Sequence, residues 1–346
     1  MSTPPRYRMP AEWEPHGATW IAWPHNQEHW PGNFEPIPKV FASFVALLAR
    51  SEQVFICVND EGMEASARLA LSQAGVNEAE LSRIRFFQIP TNASWSRDHG
   101  PIFVFDESGQ LVVTDWVFNC WGEKYPPWDL DNQVPQKIAG QFQLPLLQPN
   151  MVLEGGSIDV NGRGSLLTTR QCLLNSNRNP KLSQREIEAR LSEYLGAISI
   201  LWLEEGIVGD DTDGHIDDIA RFVNETTIAC ALESDEGDEN YALLRKNFSD
   251  LQQMKDQDGK PFHLVPLPMP EPVVQAGQRL PASYLNFFIA NTMVIVPTFR
   301  CQRDQEALLI LQNLFPDRKV VGIDAVDWVW GLGTCHCSTQ QMPALV

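Results

Sequence analysis

The chain has 346 residues, 43% of them hydrophobic, with 26 basic against 44 acidic side chains and a net charge of −18. This length and apolar content suffice for a substantial core, while the acidic balance argues against a nucleic-acid partner and favours cationic small molecules. No run of about eighteen apolar residues reads as a membrane span, and the seven scattered cysteines read as free thiols in a reducing cytoplasm.

Taken in order, Ala18–Trp23 reads as a short strand stopped by Pro24, Val40–Ala49 as an amphipathic helix, Val54–Val58 as a buried strand, and Glu61–Ala74 as a helix ended by Gly75. A repeating pattern then sets in. Four hairpin-like units pair Pro101–Asp106 with Leu111–Phe118, Ser157–Val160 with Ser165–Thr169, Asp218–Val223 with Thr226–Leu232, and Leu285–Ala290 with Met293–Pro297. Their first strands start about 55–70 residues apart, which suggests an internal repeat. Helical segments at 130–142, 183–195, 239–255 and 303–314 separate them, and Ser183 with Glu186 spells a capping box for the helix that Gly196 ends. The Trp20 strand and the C-terminal loop are left without full hairpins. Together they would complete one more unit and close a ring, which removes exposed sheet edges. The expectation is one α/β domain, residues 1–346, of about five strand–helix units, with the Pro-rich stretch 261–272 as a surface loop. The N-terminus lacks the basic-then-apolar pattern of a secretory leader.

Each of the first three hairpins follows a polar loop: Asn92–Pro101, Leu153–Asp159 and Gly209–Asp218. In a ring these loops converge with the tail segment Trp330–Gln341, bringing Asp98, Glu154, His215, Asp217 and Cys337 together. Gly331 and Gly333 allow a tight turn or close approach ahead of Cys335, His336 and Cys337. The acidic loop does not fit a calcium-binding EF-hand, because Gly214 cannot stand at position six with ligands at one, three and five. Cys335, His336 and Cys337 are too tightly spaced to close a zinc tetrahedron. A thiol, an imidazole and several carboxylates without a metal site suit a planar cation. Guanidinium offers paired N–H groups to carboxylates, a thiolate can attack its carbon, and His215 can serve as acid and then base. His16, His25 and His29 read as packing or capping residues and His263 as surface, while His99 and His336 flank site residues without an assigned role. Trp20 and Trp23, at strand spacing, read as core.

The motifs Met9–His16, Trp95–Pro101, Leu153–Ser157, Thr212–Asp217 and Gly331–Gln341, in this order, resemble those of the agmatine deiminase and bacterial-type peptidylarginine deiminase family. The resemblance runs from about residue 9 to 344. It implies the five-bladed pseudo-symmetric α/β propeller called the pentein fold, and a cofactor-free hydrolase of linear amidines working in polyamine and putrescine formation. Its substrate would be agmatine, giving N-carbamoylputrescine and ammonia. It implies Cys337 as the nucleophile that forms an amidino-cysteine, His215 as general acid and base, and Asp98 and Asp217 as the grip on the guanidinium. Trp95 would line the pocket and Asp211 would meet the cationic tail. Glu154 joins this set more as a support of His215 or its loop than as a substrate contact. Cys335 is treated as packing. No arginine clamp for a substrate carboxylate stands out, although Arg97 and Arg300 exist. The stretch Gly122–Trp128, after Phe118-Asn119-Cys120-Trp121, departs from the family's glycine-rich pattern and is placed near the pocket mouth. Arginine or peptidylarginine deimination, amidino transfer, and a noncatalytic binding protein on the same fold are the alternatives. A cytoplasmic location is expected, with homo-oligomer formation left open.

Overall fold

The computed structural model describes residues 6–345; the extreme ends of the expected 1–346 unit lie outside the described residues. Secondary structure follows the hydrophobic pattern closely. The first long helix spans Ile37–Ser51 and buries one face through Phe41, Phe44, Val45 and Leu48. Asp60 caps Glu61–Gln73 by accepting from Met63 N–H, a contact of about 1 kcal/mol. Ser183 and Glu186 form the expected reciprocal box at the start of Gln184–Leu195. Gly196 closes that helix with φ 76°, and a Cβ there would stand 2.2 Å from the carbonyl oxygen of Tyr7, so no other residue fits.

The strands form five sheets of three or four strands and one separate two-stranded hairpin, Val274–Gln275 with Gln278–Arg279, among the described residues. The five share one local topology. Two strands pair antiparallel, a helix follows, and a third strand lies parallel to the second. Ile158–Val160, Ser165–Thr169 and Ser199–Leu203 form one such set. Ala220–Asn224, Thr227–Leu232 and His263–Pro268 form the next, and Phe288–Ile289, Met293–Thr298 and Lys319–Asp324 another. Ile102–Asp106, Leu111–Thr114 and Leu146–Leu147 repeat it, with Tyr7–Arg8 added on the outer edge. In the last set the C-terminal strand Gln340–Pro343 runs antiparallel to His16–Ala22, which continues into Val54–Val58 and Ile84–Gln88. The two ends of the chain therefore meet in one sheet, with Gln340 opposite Trp20. The helices pack outside the sheets, and the largest apolar cluster runs from Ile21 and Phe41 through Phe222 and Phe287 to Trp328. No helix among the described residues is long and apolar enough to cross a membrane.

Three expectations need correction. The Pro-rich stretch 261–272 is not a plain loop: His263–Pro268 is an edge strand. Pro266 and Pro268 sit two residues apart, so both missing N–H groups fall on the same side, away from the partner strand. The strand expected at Leu111–Phe118 stops at Thr114, and the one expected at Leu285–Ala290 shrinks to Phe288–Ile289. In the second case the trimmed residue Asn286 supplies its carbonyl to His336 N–H beside Cys337.

Candidate active site

The polar loops before the hairpins do converge. Trp95, Asp98, Asp211 and Cys337 line a cavity of about 450 Å³. Asp98 sits on the short helix Ser96–His99, where its Oδ1 accepts from Gly156 N–H at 3.0 Å and its Oδ2 from Trp121 Nε1 at 3.0 Å. His215 Nδ1 lies 3.7 Å from Asp98 Oδ1. A Cβ on Gly156 would stand 2.5 Å from His215 Nδ1, 2.8 Å from Asp98 Oδ1 and 3.1 Å from Asp217 Oδ2. These three groups thus surround one point, and only a glycine leaves that point free.

Cys337 is 6% exposed, with its Sγ 3.7 Å from Asp217 Oδ2 and 3.0 Å from the donating Nδ2 of Asn286. Gly333 permits this approach: a Cβ there would meet Trp95 at 2.9 Å and Cys337 Sγ at 3.2 Å. Gly331 likewise packs its bare Cα against Trp30 and Trp95. The glycines serve close packing more than the turn. The left-handed residue between them is Leu332, at φ 66°.

Electrostatics divide the groups. Burial pushes the Cys337 thiol well above its ordinary range, and the carboxylates of Asp217, Asp218 and Asp98 push it further, against the Asn286 hydrogen bond. Burial also raises Asp98, with Asp217 and Glu154 adding to the rise and His215 opposing it. For His215, burial opposes charge, but Asp98, Cys172 and Asp217 hold its proton on well above the usual imidazole value. Burial would raise Asp217 too, yet the hydrogen bond and charge of His336, with His215 and Arg221, keep it low. Asp217 Oδ1, Glu154 Oε2 and both His215 ring nitrogens are buried without a hydrogen-bond partner among the described residues. Such groups mark a centre built to receive a polar ligand.

Glu154 stands one layer back from the cavity, with Oε1 held by Arg178 Nε at 2.6 Å. Glu154, Cys172 and His215 bring one potential metal-ligating atom each within 4.8 Å of one another. The Arg178 guanidinium already occupies the carboxylate, which disfavours a second cation there.

Cys120–Glu123 forms a run of four positive φ angles, 55°, 54°, 88° and 66°. For the three non-glycine residues this costs about 1–2 kcal/mol each. Asn119 stabilises the turn by accepting from Gly122 N–H at 3.0 Å. The turn aims Trp121 at Asp98 and carries Tyr125 to the cavity wall, where its hydroxyl donates to Asp211. The divergent stretch after Trp121 therefore does line the site. His29, read from sequence as packing, also faces the cavity, stacked on Trp95 at 14° and 6.4 Å. Burial, with His25 and His99 nearby, lowers its pKa to about 4.

Sequence reasoning assigned no role to Asn286, Glu12 or His336. Asn286 anchors the nucleophile loop: its Oδ1 accepts from Thr334 Oγ1 at 2.8 Å and His336 N–H at 3.1 Å. His336 spans Asp217 at 2.7 Å and Glu12 at 2.8 Å. Position offered a signal for the last two: Glu12 lies inside the Met9–His16 motif and His336 beside Cys337. Asn286 sits in none of the quoted motifs. Arg97 is buried against Glu12 and Gln341, and Arg300 pairs on the surface with Asp324 and Asp327. Neither arginine lines the cavity.

Residues 8–343 match the family model described as Porphyromonas-type peptidyl-arginine deiminase. An agmatine deiminase of Pseudomonas aeruginosa is 38% identical over 98% of this chain and 96% of its own length. Among solved structures, an agmatine deiminase of Enterococcus faecalis superposes with TM-score 0.92 at 32% identity, covering 100% of this chain and 99% of that one. An agmatine deiminase of C. jejuni with substrate bound superposes with TM-score 0.89 at 33% identity, covering 98% and 97%. A match that spans nearly the whole chain shows that this chain belongs to the Porphyromonas-type peptidyl-arginine deiminase family.

Proposed function

We propose that this chain is an agmatine deiminase, hydrolysing agmatine to N-carbamoylputrescine and ammonia through a covalent amidino-cysteine. The observation that carries the choice of substrate is the sign of the cavity's charges. Asp98 lies at the reacting end, Glu28 and Asp211 lie further along, and no arginine or lysine is among the lining residues. Agmatine is cationic at both ends, whereas an amino-acid carboxylate would call for a basic clamp. The names of the relatives agree.

The chemistry follows from the site. The guanidinium enters between Asp98 and Asp217, whose Oδ1 is free to accept its N–H groups. Its positive charge offsets the field that holds the Cys337 proton, and the thiol ionises, its proton passing to solvent. Sγ adds to the guanidinium carbon. His215, held charged, protonates the departing nitrogen as ammonia. The resulting neutral imidazole takes a proton from water as its oxygen adds to the same carbon. The carbon–sulfur bond then breaks as the added hydroxyl gives its remaining proton to solvent, releasing the ureido product and regenerating the thiolate.

We read the five sheets of shared topology as the blades of a pentein propeller, closed where the two chain ends pair, and the whole as a single catalytic domain. Ammonia release from agmatine, arginine and a blocked arginine peptide, with Cys337→Ser as control, tests the function. Release from agmatine that is lost in the variant is the expected result. Preference for another guanidine would keep the chemistry and overturn the substrate. No release from any of the three would overturn the enzyme reading.

A further inference from the structure

Asp217 has two different oxygens. Oδ1 has no partner among the described residues, while Oδ2 receives His336 Nδ1 at 2.7 Å. The other side of the same ring meets Glu12 Oε2 at 2.8 Å. Glu12 is itself fixed from three directions: Ile289 N–H donates to Oε1 at 2.8 Å, while Arg97 Nη2 at 3.2 Å and Arg221 Nη2 at 3.0 Å face Oε2. All of these side chains are buried. The ring thus bridges the two carboxylates, one nitrogen to each.

We propose that Glu12 and His336 form a positioning relay that keeps Asp217 a carboxylate and turns its free Oδ1 toward the guanidinium, so that a residue remote from the substrate governs substrate capture. This rests on the deiminase reading of the cavity but not on agmatine as the particular guanidine. Glu12 touches neither the cavity nor Cys337; it acts through His336. Without this relay the buried Asp217 would keep Asp98 and Asp218 as like charges, the Cys337 thiol 3.7 Å from its Oδ2, His215 as its near counter-charge, and Arg221 and Arg97 beyond. Glu12 itself is held well ionised: burial opposes it, but Arg221, His336 and Arg97 prevail.

The pH profile separates positioning from mere packing. Asp98 is raised and Asp217 is lowered, so on acidification of the native protein Asp98 should protonate first and lead the acid limb of kcat/KM, with a slope near one. Losing or loosening the His336 hydrogen bond removes the first of the contacts that hold Asp217 low, so its pKa should rise toward that of Asp98. The limb should then move to higher pH and steepen toward a slope of two.

The experiment compares native protein, Glu12→Gln and His336→Asn. His336→Asn leaves Glu12 paired with both arginines, so it decides the matter should Glu12→Gln fail to fold. Unchanged thermal melting verifies the fold. The expected result is a loss in kcat/KM of about tenfold or more near pH 6 that largely recovers by pH 8, carried mostly in KM. A folded variant with a uniform loss at every pH, or with an unmoved limb of unit slope, would overturn the relay. Should the native protein release ammonia from no guanidine, binding of the guanidinium ion by calorimetry across the same pH range replaces kcat/KM. Loss of binding at higher pH in the variants then supports the relay even with the agmatine reading gone, and identical profiles refute it.

Discussion

The floor and the mouth of the cavity are built differently. At the floor Asp98 and Cys337 line the cavity with His215 and Asp217 just behind them; all four are buried, and Gly156, Trp121, Asn286 and His336 hold them by close packing or hydrogen bonds within about 3 Å. At the mouth, Asp211 and Tyr125 meet the exposed side of the site, and the hairpin turn at Ala276–Gly277 brings Gln275 and Gln278 over it. Buried, over-determined groups suit chemistry that tolerates no misplacement. Exposed, adaptable groups suit the choice of a tail. The floor therefore specifies the reaction and the mouth specifies the substrate, and each half should fail in its own way.

The sharpest break at the floor is Cys337→Ser. Loss of the nucleophile should lower kcat by about 10⁴-fold or more with the fold retained, as measured by ammonia release and thermal melting. Gly156→Ala comes next. Its methyl group would stand within contact of His215, Asp98 and Asp217 together. It should cost about 100-fold in kcat, because the reacting groups must part to admit it. A kcat within threefold of native would show that the three do not share the reacting point.

The resting thiol offers a test with no substrate. Burial and three carboxylates raise the Cys337 pKa well above its ordinary value. The thiolate fraction, and with it the rate of alkylation by iodoacetamide, should still climb about tenfold per pH unit from pH 7 to 9. A plateau below pH 8 would mean that the site lowers the thiol pKa. Adding a guanidinium compound should protect the thiol sterically and is best avoided in this assay.

The mouth should respond more gently. Asp211→Asn removes one charge-assisted contact to the tail and should raise KM for agmatine about tenfold while kcat stays within about twofold. Burial, with Asp210 and Asp213 nearby, raises the Asp211 pKa, against Tyr125 and Lys124. A raised carboxyl protonates at higher pH than an ordinary one, so tail binding should weaken on acidification sooner than an unperturbed aspartate would allow. A fall in kcat equal to the rise in KM would place Asp211 in the reaction and blur the division between the two regions.

Much of the floor was legible in the sequence because its chemistry needs particular residue types in particular loops. Asp98, His215, Asp217 and Cys337 stand out as polar residues just before strands, and the hairpin repeat explains how they meet. Gly333 was legible as permissive backbone and Gly156 only as part of the Leu153–Ser157 motif; the purpose of both depends on what approaches them, Cys337 and His215, which only the folded chain reveals. Asn286 was invisible for a related reason. It falls inside the stretch Leu285–Ala290 that reads as a strand, and its contact with Cys337 spans 51 residues. The third strand of each sheet was mostly missed. Lys319–Asp324 and His263–Pro268 are half-exposed edge strands without clean alternation, so their period is blurred. Tyr125 reaches the wall only through the strained left-handed turn at Cys120–Glu123, which no local propensity would suggest.

The central claim is that Cys337 takes up the guanidine carbon with the tail still attached, ammonia leaving first. Rapid quench of the protein with excess agmatine, followed by peptide mass spectrometry, reads this directly. The expected adduct lies on the peptide containing Cys337 and has the mass of agmatine less ammonia. A bare amidino group on that cysteine would mean that the amine leaves first, as in amidino transfer, and no adduct during active turnover would contradict covalent catalysis by Cys337.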